Sequence, residues 1–379
     1  MAAVAVRGGV HRQHPRRRHH RRDDRRRRRS AEGERLRAII AGAGVAGLLH
    51  ALALRAAGVT VVGVFDPDLS RAKALAEQCG GAQVAPDLDA LADLDAGIAN
   101  ICSPPAVHVA QAERLVRGER GASRIVFVEK PVGVSVAELE RLRALPRCVP
   151  VVQWRAGRAI RAIRRAISRG ELGDAPVVSL DLAWGRDASY VRARGATWGC
   201  GAVLSVGIHA IDAVLWALGQ KVIEANGITS RREGAWAETA AVGLLRFDGG
   251  ALASLRISFD GGADATRLTF CGGGITAIIE GGEGDPTASA VRWHALPGSA
   301  ARLSALAALE RETDGATGSP LLVPYLGDAI AAVREGRVPG DTQRLPSIAD
   351  SYEAHVTALR LGSSSPPDGA AAVVEKSEA

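Results

Sequence analysis

Three glycines and one aspartate carry the most specific chemical signal in the chain. Gly42, Gly44 and Gly47 stand in a GxGxxG spacing, and Asp66 follows 19 residues after the last of them. The first glycine allows a tight turn, the second lets a pyrophosphate approach the backbone, and the third lets a helix pack on a strand. A carboxylate near position twenty can hydrogen-bond ribose hydroxyls. These residues at this spacing predict the binding of a dinucleotide.

The segments around these residues have the patterns needed to position them. The apolar run Arg37–Ala41 predicts a buried parallel strand, an Ala- and Leu-rich helix follows the glycine turn, and Thr60–Phe65 predicts a second strand that ends at Asp66. Together they are typical of a Rossmann unit, whose helix N-terminus faces the phosphates; the alternative is a glycine-rich turn in another α/β domain. Because a carboxylate at Asp66 would repel the 2′-phosphate of NADP, NAD is favoured over NADP.

Two later predicted strands end in unusual polar residues. Ser103, Pro104 and His108 follow one strand, and Glu129 and Lys130 follow the next. Ligands of open parallel sheets bind beyond the carboxyl ends of the strands. The chain uses 44 Arg and only four Lys, so a lysine at this place indicates proton chemistry, because burial readily shifts the pKa of an ammonium group. A salt bridge at the surface is the alternative role for Lys130.

These motifs resemble the Gfo/Idh/MocA oxidoreductase family, which includes glucose–fructose oxidoreductase and inositol dehydrogenase. The resemblance covers roughly residues 36–361. It rests on AGAGVAG at 41–47, SPPAVH at 103–108, VEKP at 128–131, ISRGELG at 167–173, GCGAVLSVGIHAIDAVLWALG at 199–219 and LGDAIAAVREGRVP at 326–339. It implies a nicotinamide-binding Rossmann domain and a second α/β domain with a large open sheet, whose face often forms a dimer. It also implies substrates among cyclic sugars, polyols and their nucleotide-linked forms.

The resemblance further implies catalytic roles for two residues. Lys130 matches the family lysine that hydrogen-bonds the reacting hydroxyl or carbonyl, and the neighbouring Glu129 helps to position it. His209 matches the family histidine that serves as general acid or base for the hydroxyl proton; without the resemblance, a histidine satisfied within the core is the simpler interpretation. Ser205 stands where the family usually has Asp, so His209 should be less basic than in a typical member.

The predicted site residues fall into two groups besides the catalytic pair Lys130 and His209. The cofactor is predicted to contact Gly42, Ala43, Gly44, Val45, Gly47, Asp66, Ser103, Pro104, His108, Glu129 and Lys130. The substrate is predicted to contact Arg155, Ser205 and Asp212, and for Asp212 a role in capping local structure is an equal alternative. No metal site is predicted, because the five cysteines are scattered, odd in number and without a CxxC spacing. Reduced thiols of this kind indicate a cytoplasmic protein.

The net charge of +7 is unevenly distributed. Residues 1–29 hold twelve Arg and two Asp, whereas the other 350 residues carry 36 basic and 39 acidic side chains, a net of −3. The basic segment has no apolar period and is expected to be an unstructured tail. Nucleic-acid binding through these arginines is the less favoured alternative. No run of 18 uninterrupted apolar residues occurs, so no membrane span is predicted.

The order of predicted elements indicates an α/β fold in two parts. We expect an N-terminal tail (1–34), a Rossmann domain with a parallel sheet (35–154), a domain for substrate binding and oligomerisation (155–362) and a C-terminal tail (363–379). Strands and helices alternate in the first part, which predicts a parallel sheet. Repeated strands with glycine turns predict that the second part is an α+β domain with a large, mostly antiparallel sheet.

Local patterns set three further expectations: a strand over 149–154, an irregular stretch over 186–199 and a helix over 202–218. Taken together, the motifs and the family resemblance predict a homo-oligomeric, NAD(P)-dependent oxidoreductase. Hydride would pass between nicotinamide and a hydroxyl or carbonyl carbon of a sugar, cyclic polyol or nucleotide-linked sugar. The alternative is a non-catalytic dinucleotide-binding protein of the same fold, which Ser205 and the altered loop Gly199-Cys200-Gly201 would suit.

Overall fold

The first half of the chain forms a six-stranded parallel sheet in the order β3-β2-β1-β4-β5-β6. The computed structural model describes residues 36–281, 285–318 and 320–363. The strands are β1 Arg37–Ala41, β2 Thr60–Phe65, β3 Gln83–Val84, β4 Ile98–Ile101, β5 Ile125–Val128 and β6 Cys148–Pro150. The helices between them are α1 Val45–Ala56, α2 Leu69–Gln78, α3 Leu88–Ala92, α4 His108–Leu115, α5 Gly118–Ala122 and α6 Val136–Arg143. The strand order reverses between β1 and β4, and this is where open α/β sheets bind ligands.

Apolar runs explain why these strands lie at the centre of the layer. Every residue of β4 and β5 is buried, as expected for parallel strands covered on both faces. One apolar cluster joins β1, β4 and β5 to α4 and α6, with Ile39, Ile101 and Leu139 fully buried. The carboxyl ends of β1, β4 and β5 therefore form a rigid edge that carries the glycine turn and the two polar loops.

The second half forms a seven-stranded sheet in the order β13-β12-β11-β7-β10-β9-β8. The strands are β7 Val177–Ala183, β8 Val222–Ser230, β9 Ala240–Phe247, β10 Leu252–Ser258, β11 Ala265–Gly272, β12 Ile275–Gly281 and β13 Arg292–Ala295. The helices are α7 Arg158–Ser168, α8 Ala188–Trp198, α9 Ile208–Leu218, α10 Ala300–Glu312, α11 Leu322–Arg334 and α12 Ala349–Gly362. Only the β7–β10 pair is parallel among the described strand pairs of this sheet. The predicted fold class is confirmed.

Alternating burial shows that the second sheet is covered on one face. In β9 and β10 buried and exposed residues alternate, with Leu245 and Leu255 facing the helices and Leu244 facing outward. A π-helical turn, Val203–Gly207, packs on β10 so closely that a Cβ at Gly207 would lie 2.4 Å from Ile257 Cδ1. This packing fixes the start of α9, which carries His209.

Three local expectations need correction. Residues 186–199 are not irregular, since α8 begins after Asp187, whose carboxylate accepts hydrogen bonds from the Tyr190 backbone N–H and the Ser189 hydroxyl. The strand expected over 149–154 ends at Pro150, and Gln153–Ala156 forms a 3₁₀ turn. The helix expected over 202–218 begins with the π-helical turn.

Side-chain hydrogen bonds connect the two halves of the chain. The Tyr325 hydroxyl donates to the Pro150 carbonyl at 2.5 Å, and the Val132 N–H donates to His355 Nε2 at 3.2 Å. Arg334 also donates to the Ala57 carbonyl at the end of α1. Within the described residues, no helix combines the length and apolarity that a membrane crossing requires.

Candidate active site

The glycine turn has the close contacts that its spacing predicts. Gly42 has φ +100° and donates its N–H to the Phe65 carbonyl at 2.8 Å. A Cβ at Gly47 would lie 2.1 Å from the Gly42 carbonyl oxygen, so only glycine lets α1 pack here. Gly44 differs, because a Cβ there would meet no atom within 4 Å. Open space beside this backbone, at the N-terminus of α1, fits the pyrophosphate of a dinucleotide.

Asp66 ties the glycine turn to the end of β2. Its Oδ2 accepts the Ala43 N–H at 2.7 Å and its Oδ1 accepts the Asp68 N–H at 2.8 Å. The carboxylate is half-buried, and each oxygen keeps further acceptor capacity. Val45, the first residue of α1, is 74% exposed beside this turn. The position of Asp66 is compatible with the predicted ribose contact, which stays a prediction.

A buried imidazole holds the two polar loops together. His108 Nε2 lies 2.8 Å from the Ser103 carbonyl and Nδ1 lies 3.0 Å from the Pro131 carbonyl. Burial lowers the pKa of His108. The Ser103 hydroxyl donates to Gln111 at 2.6 Å, and Pro104 is exposed at the loop surface. His108 therefore fixes the loop after β4 to the loop after β5.

A buried ion pair lies directly beneath the lysine. His50 Nε2 is 2.9 Å from Glu129 Oε1, and His50 Nδ1 is 2.9 Å from Asn100 Oδ1. Glu129 Oε2 accepts the Lys130 N–H at 3.0 Å. Burial opposes charge on both side chains, yet contacts with Cys102 and Glu129 raise the pKa of His50, and the hydrogen bond from His50 lowers the pKa of Glu129. The pair therefore joins helix α1 to the loop after β5.

Lys130 and His209 lie in one narrow cavity, although they come from different halves of the chain. The cavity is also lined by Val151, Val152, Trp154, Ile208 and Asp212. The Lys130 ammonium donates to the Ser205 carbonyl at 2.8 Å, which holds it beside the start of α9. Of the predicted substrate residues, Asp212 lines this cavity and Arg155 does not.

His209 is held as a neutral imidazole. Its ring stacks on the Trp154 ring, with 5.3 Å between the ring centroids and an interplanar angle of 17°. The centroid of the Trp184 ring lies 6.4 Å from that of His209. Burial, together with the positive charge of Lys130, lowers its pKa well below the usual value. A neutral imidazole can accept a proton near pH 7. Neither tryptophan was singled out in the sequence, although Trp154 directly precedes Arg155.

Ser205 stands where the family resemblance implies an aspartate, and its side chain carries no charge. Its backbone carbonyl binds Lys130, and its hydroxyl is buried with no partner among the described residues. Glu238 lies near this turn and accepts the Val203 N–H at 3.1 Å. Burial raises the pKa of Glu238 to about 7. Glu238 was missed in the sequence because it follows no motif and lies in the loop before β9.

Arg155 and Asp212 form a buried two-point ion pair. Arg155 Nε donates to Asp212 Oδ2 at 2.7 Å and Nη2 donates to Oδ1 at 2.5 Å. Arg155 also donates to the Asp350 carbonyl at 2.8 Å. Burial disfavours the charge of Arg155, but Asp212 outweighs this effect and raises its pKa. Arg155 thus orients Asp212 from behind the cavity, and Asp212 both lines the cavity and stabilises the local structure.

The fold and these residues define a dinucleotide-dependent oxidoreductase. A family model described as an oxidoreductase family with an NAD-binding Rossmann fold matches residues 36–151, and a Gfo/Idh/MocA C-terminal domain matches residues 160–277. The chain belongs to the Gfo/Idh/MocA oxidoreductase family, and residues 36–151 form its NAD-binding Rossmann domain.

Solved structures share the whole fold at low sequence identity. WlbA dehydrogenase from Bordetella pertussis, solved with NADH and UDP-GlcNAcA, matches with a TM-score of 0.70 at 20% identity, over 86% of this chain and 95% of that one. UDP-N-acetylglucosamine 3-dehydrogenase from Acidithiobacillus ferrooxidans matches with a TM-score of 0.68 at 19% identity, over 86% of this chain and 97% of that one. myo-Inositol dehydrogenase from Lactobacillus casei, solved with NAD(H) and myo-inositol, matches with a TM-score of 0.64 at 19% identity, over 86% of this chain and 92% of that one.

Proposed function

We propose that this protein is an NAD-dependent dehydrogenase that interconverts a secondary hydroxyl and a ketone on a sugar, a cyclic polyol or a nucleotide-linked sugar. The observation that carries the proposal is the shared cavity of Lys130 and His209. Family membership gives the oxidoreductase class, and the substrates named for the similar structures suggest this range of ligands. The proposed division of labour places the cofactor on residues 35–154 and the substrate on residues 155–362.

Two side chains would handle the oxygen and the proton of the substrate. The Lys130 ammonium, held by the Ser205 carbonyl, donates a hydrogen bond to the substrate oxygen and stabilises negative charge that develops there. The neutral imidazole of His209 accepts the hydroxyl proton during oxidation and returns it during reduction. The bound nicotinamide supplies the hydride acceptor or donor.

Asp66 favours NAD over NADP in this proposal. Its carboxylate lies beside the glycine turn and accepts the Ala43 N–H. A 2′-phosphate at this place would meet a negative charge, whereas free ribose hydroxyls can donate to the remaining lone pairs. Gly42, Gly44, Gly47 and the loops that bear Ser103 and Glu129 would complete the cofactor site.

A substrate panel tests the proposed function. Purified protein is mixed with NAD or NADP and with cyclic polyols, free sugars or UDP-sugars, and absorbance is followed at 340 nm. The proposal predicts NADH formation with at least one of these ligands and weaker use of NADP. Tight NADH binding without turnover, across ligands that are shown by calorimetry to bind, would instead favour the non-catalytic alternative.

A further inference from the structure

A second cavity lies on the other side of the Arg155–Asp212 pair from the catalytic cavity. Asp212 lines the catalytic cavity and Arg155 lines the second one, and the two cavities share no lining residue. The second cavity has a volume of about 470 Å³, between α7, the end of α9, α11 and the loop at 342–344. Sites for small molecules typically have volumes of roughly 300–1,000 Å³. The cavity is large enough for a metabolite.

The lining of this cavity is strongly cationic. Its five arginines are Arg155, Arg161, Arg164, Arg165 and Arg344, against the two carboxylates of Asp314 and Asp328. Three of the arginines are already paired: Arg155 with Asp212, Arg161 with Asp314 and Asp328, and Arg344 with Glu335. Arg164 and Arg165 have no carboxylate partner within the part of the chain that the structure describes. Arg164 and Arg165 donate only to backbone carbonyls, of Trp216 and Glu312, so neither charge is neutralised by a described carboxylate.

The charged form of the Arg164 guanidinium is destabilised by its surroundings, and a bound anion would stabilise it. It is half-buried, lies over the Trp216 ring at 4.5 Å and donates to the Trp216 carbonyl. Burial, with a further contribution from Arg155, lowers the pKa of Arg164. Arg169, at the end of the same helix, is by contrast exposed and lies outside the cavity. Arg169 has the exposure of an ordinary solvated helix face. Arg164 is partly removed from water and has no described carboxylate to neutralise its charge, so it needs another explanation.

We propose that this cavity binds a small, multiply charged oxyanion, such as a phosphate ester or a polycarboxylate, through Arg164 and Arg165. Planar guanidinium groups bind both oxyanions through two parallel hydrogen bonds. The site goes beyond the proposed dehydrogenase function, since its ligand would not contact Lys130 or His209. Arg155 lines this second cavity and is paired with Asp212, which lines the cavity of Lys130 and His209. An anion bound to the second cavity is therefore positioned to influence the cavity of Lys130 and His209.

Binding of two probes to the NAD-saturated, full-length protein tests this proposal. Inorganic pyrophosphate and citrate are titrated separately at constant ionic strength, with calorimetry and tryptophan fluorescence as readouts. Saturating NAD keeps pyrophosphate from the glycine turn. The variants are Arg164→Ala, Arg165→Ala and the matched control Arg169→Ala, all of which retain the arginines of residues 1–29. Trp216→Phe identifies the fluorescence change that arises in the cavity.

The proposal predicts that at least one probe binds the wild type and quenches or shifts the Trp216 signal. Arg164→Ala and Arg165→Ala should each weaken binding by about tenfold or more, the loss expected for charge-assisted hydrogen bonds. Arg169→Ala should bind like the wild type, and melting temperatures identify any variant that has not folded. Arg164→Lys, which keeps the charge but not the planar fork, should give an intermediate affinity. Preference for pyrophosphate or citrate distinguishes the phosphate ester from the polycarboxylate.

Three results would overturn the proposal. The first is the absence of binding by both probes. The second is an equal loss of affinity in Arg169→Ala, which would assign the binding to overall charge. The third is unchanged binding in Arg164→Ala and Arg165→Ala, which would place the anion elsewhere.

Discussion

At the scale of single residues, the proposed chemistry depends on a charged ammonium and a neutral imidazole that line one cavity. Lys130 carries its charge against the Ser205 carbonyl, while burial and that same charge hold the pKa of His209 well below its usual value. An ammonium beside a neutral imidazole suits oxidation of a hydroxyl, because one group stabilises negative charge and the other accepts the proton.

The first prediction concerns the pH dependence of oxidation. His209 must be unprotonated to act as a base, and its lowered pKa means that it protonates only well below pH 6.5. As pH is lowered from 7, the rate of oxidation at saturating substrate should therefore stay constant through pH 6.5 and fall only at lower pH. Substitution Ser205→Asp would place a carboxylate four residues before His209, raise its pKa and move the fall to higher pH by about one unit or more. Ser205→Asn serves as the uncharged control, and an identical profile in Ser205→Asp would contradict the assignment.

A second prediction concerns the His50–Glu129 pair. Replacing His50 with Gln leaves the Glu129 carboxylate without its charged partner and should lower the free energy of unfolding by about 3–5 kcal/mol at pH 6. Because the pKa of His50 is raised in the folded protein, its stabilisation is complete below the unfolded-state pKa of about 6.5 and is lost as pH rises through the folded-state pKa.

Urea unfolding measured from pH 6 upward checks this prediction. The difference between the wild type and His50→Gln should shrink as pH rises. The double variant His50→Gln/Glu129→Gln, which removes both charges, should recover part of the loss. A difference that does not change with pH would mean that His50 acts through packing alone.

At the scale of elements, two glycines of the same turn have different roles. Gly47 is required for helix packing, whereas Gly44 leaves space for the ligand. A Cβ at Gly47 meets the Gly42 carbonyl at 2.1 Å, whereas a Cβ at Gly44 meets nothing within 4 Å. Gly47→Ala should therefore lower stability by about 1–3 kcal/mol, as overpacking does. Gly44→Ala should leave the melting temperature nearly unchanged and weaken NAD binding by about tenfold or more, because the methyl group would occupy the space expected for the pyrophosphate.

Thermal melting and NADH fluorescence titration of both variants check this third prediction. Full NAD affinity in Gly44→Ala would show that the pyrophosphate does not approach this backbone.

The elements that the sequence predicted are those with strong local patterns. The strands β1, β2, β4 and β5 are mostly apolar and end at polar motifs, so their bounds and the edge of the sheet were accessible from the sequence. The α8 helix was missed because its residues lack an apolar period, and only Asp187 signals its start. The pairs His50–Glu129 and Arg155–Asp212 could not be predicted, because each joins residues 57 or more positions apart.

At the scale of the whole molecule, the outer face of the second sheet carries an exposed apolar patch among charged residues. Ile228, Val242, Leu244 and Leu252 lie on this face and are 78%, 59%, 62% and 47% exposed. Ile228 and Val242 are direct cross-strand neighbours on β8 and β9. Apolar patches of this kind mark association sites, and we propose that a second copy of the chain covers this patch, as the family resemblance implies.

The fourth prediction is that Leu244→Lys dissociates a homo-oligomer. Light scattering coupled to size-exclusion chromatography should give a mass above 39.4 kDa for the wild type and close to it for the variant. Val136→Lys, at an exposed apolar position in the first half of the chain, is the matched control. A monomeric wild type, or a variant with unchanged mass, would contradict the proposed use of this face.

The central claim is that Lys130 and His209 act together on a substrate bound beside the nicotinamide. Single-turnover formation of NADH, measured at 340 nm with a substrate that the panel identifies, tests it most directly in Lys130→Met and His209→Gln. Both variants should still bind NAD, with the affinity unchanged in His209→Gln, while each variant slows the reaction by at least about 10²-fold. Rates equal to the wild type in both variants, with NAD bound normally, would contradict it.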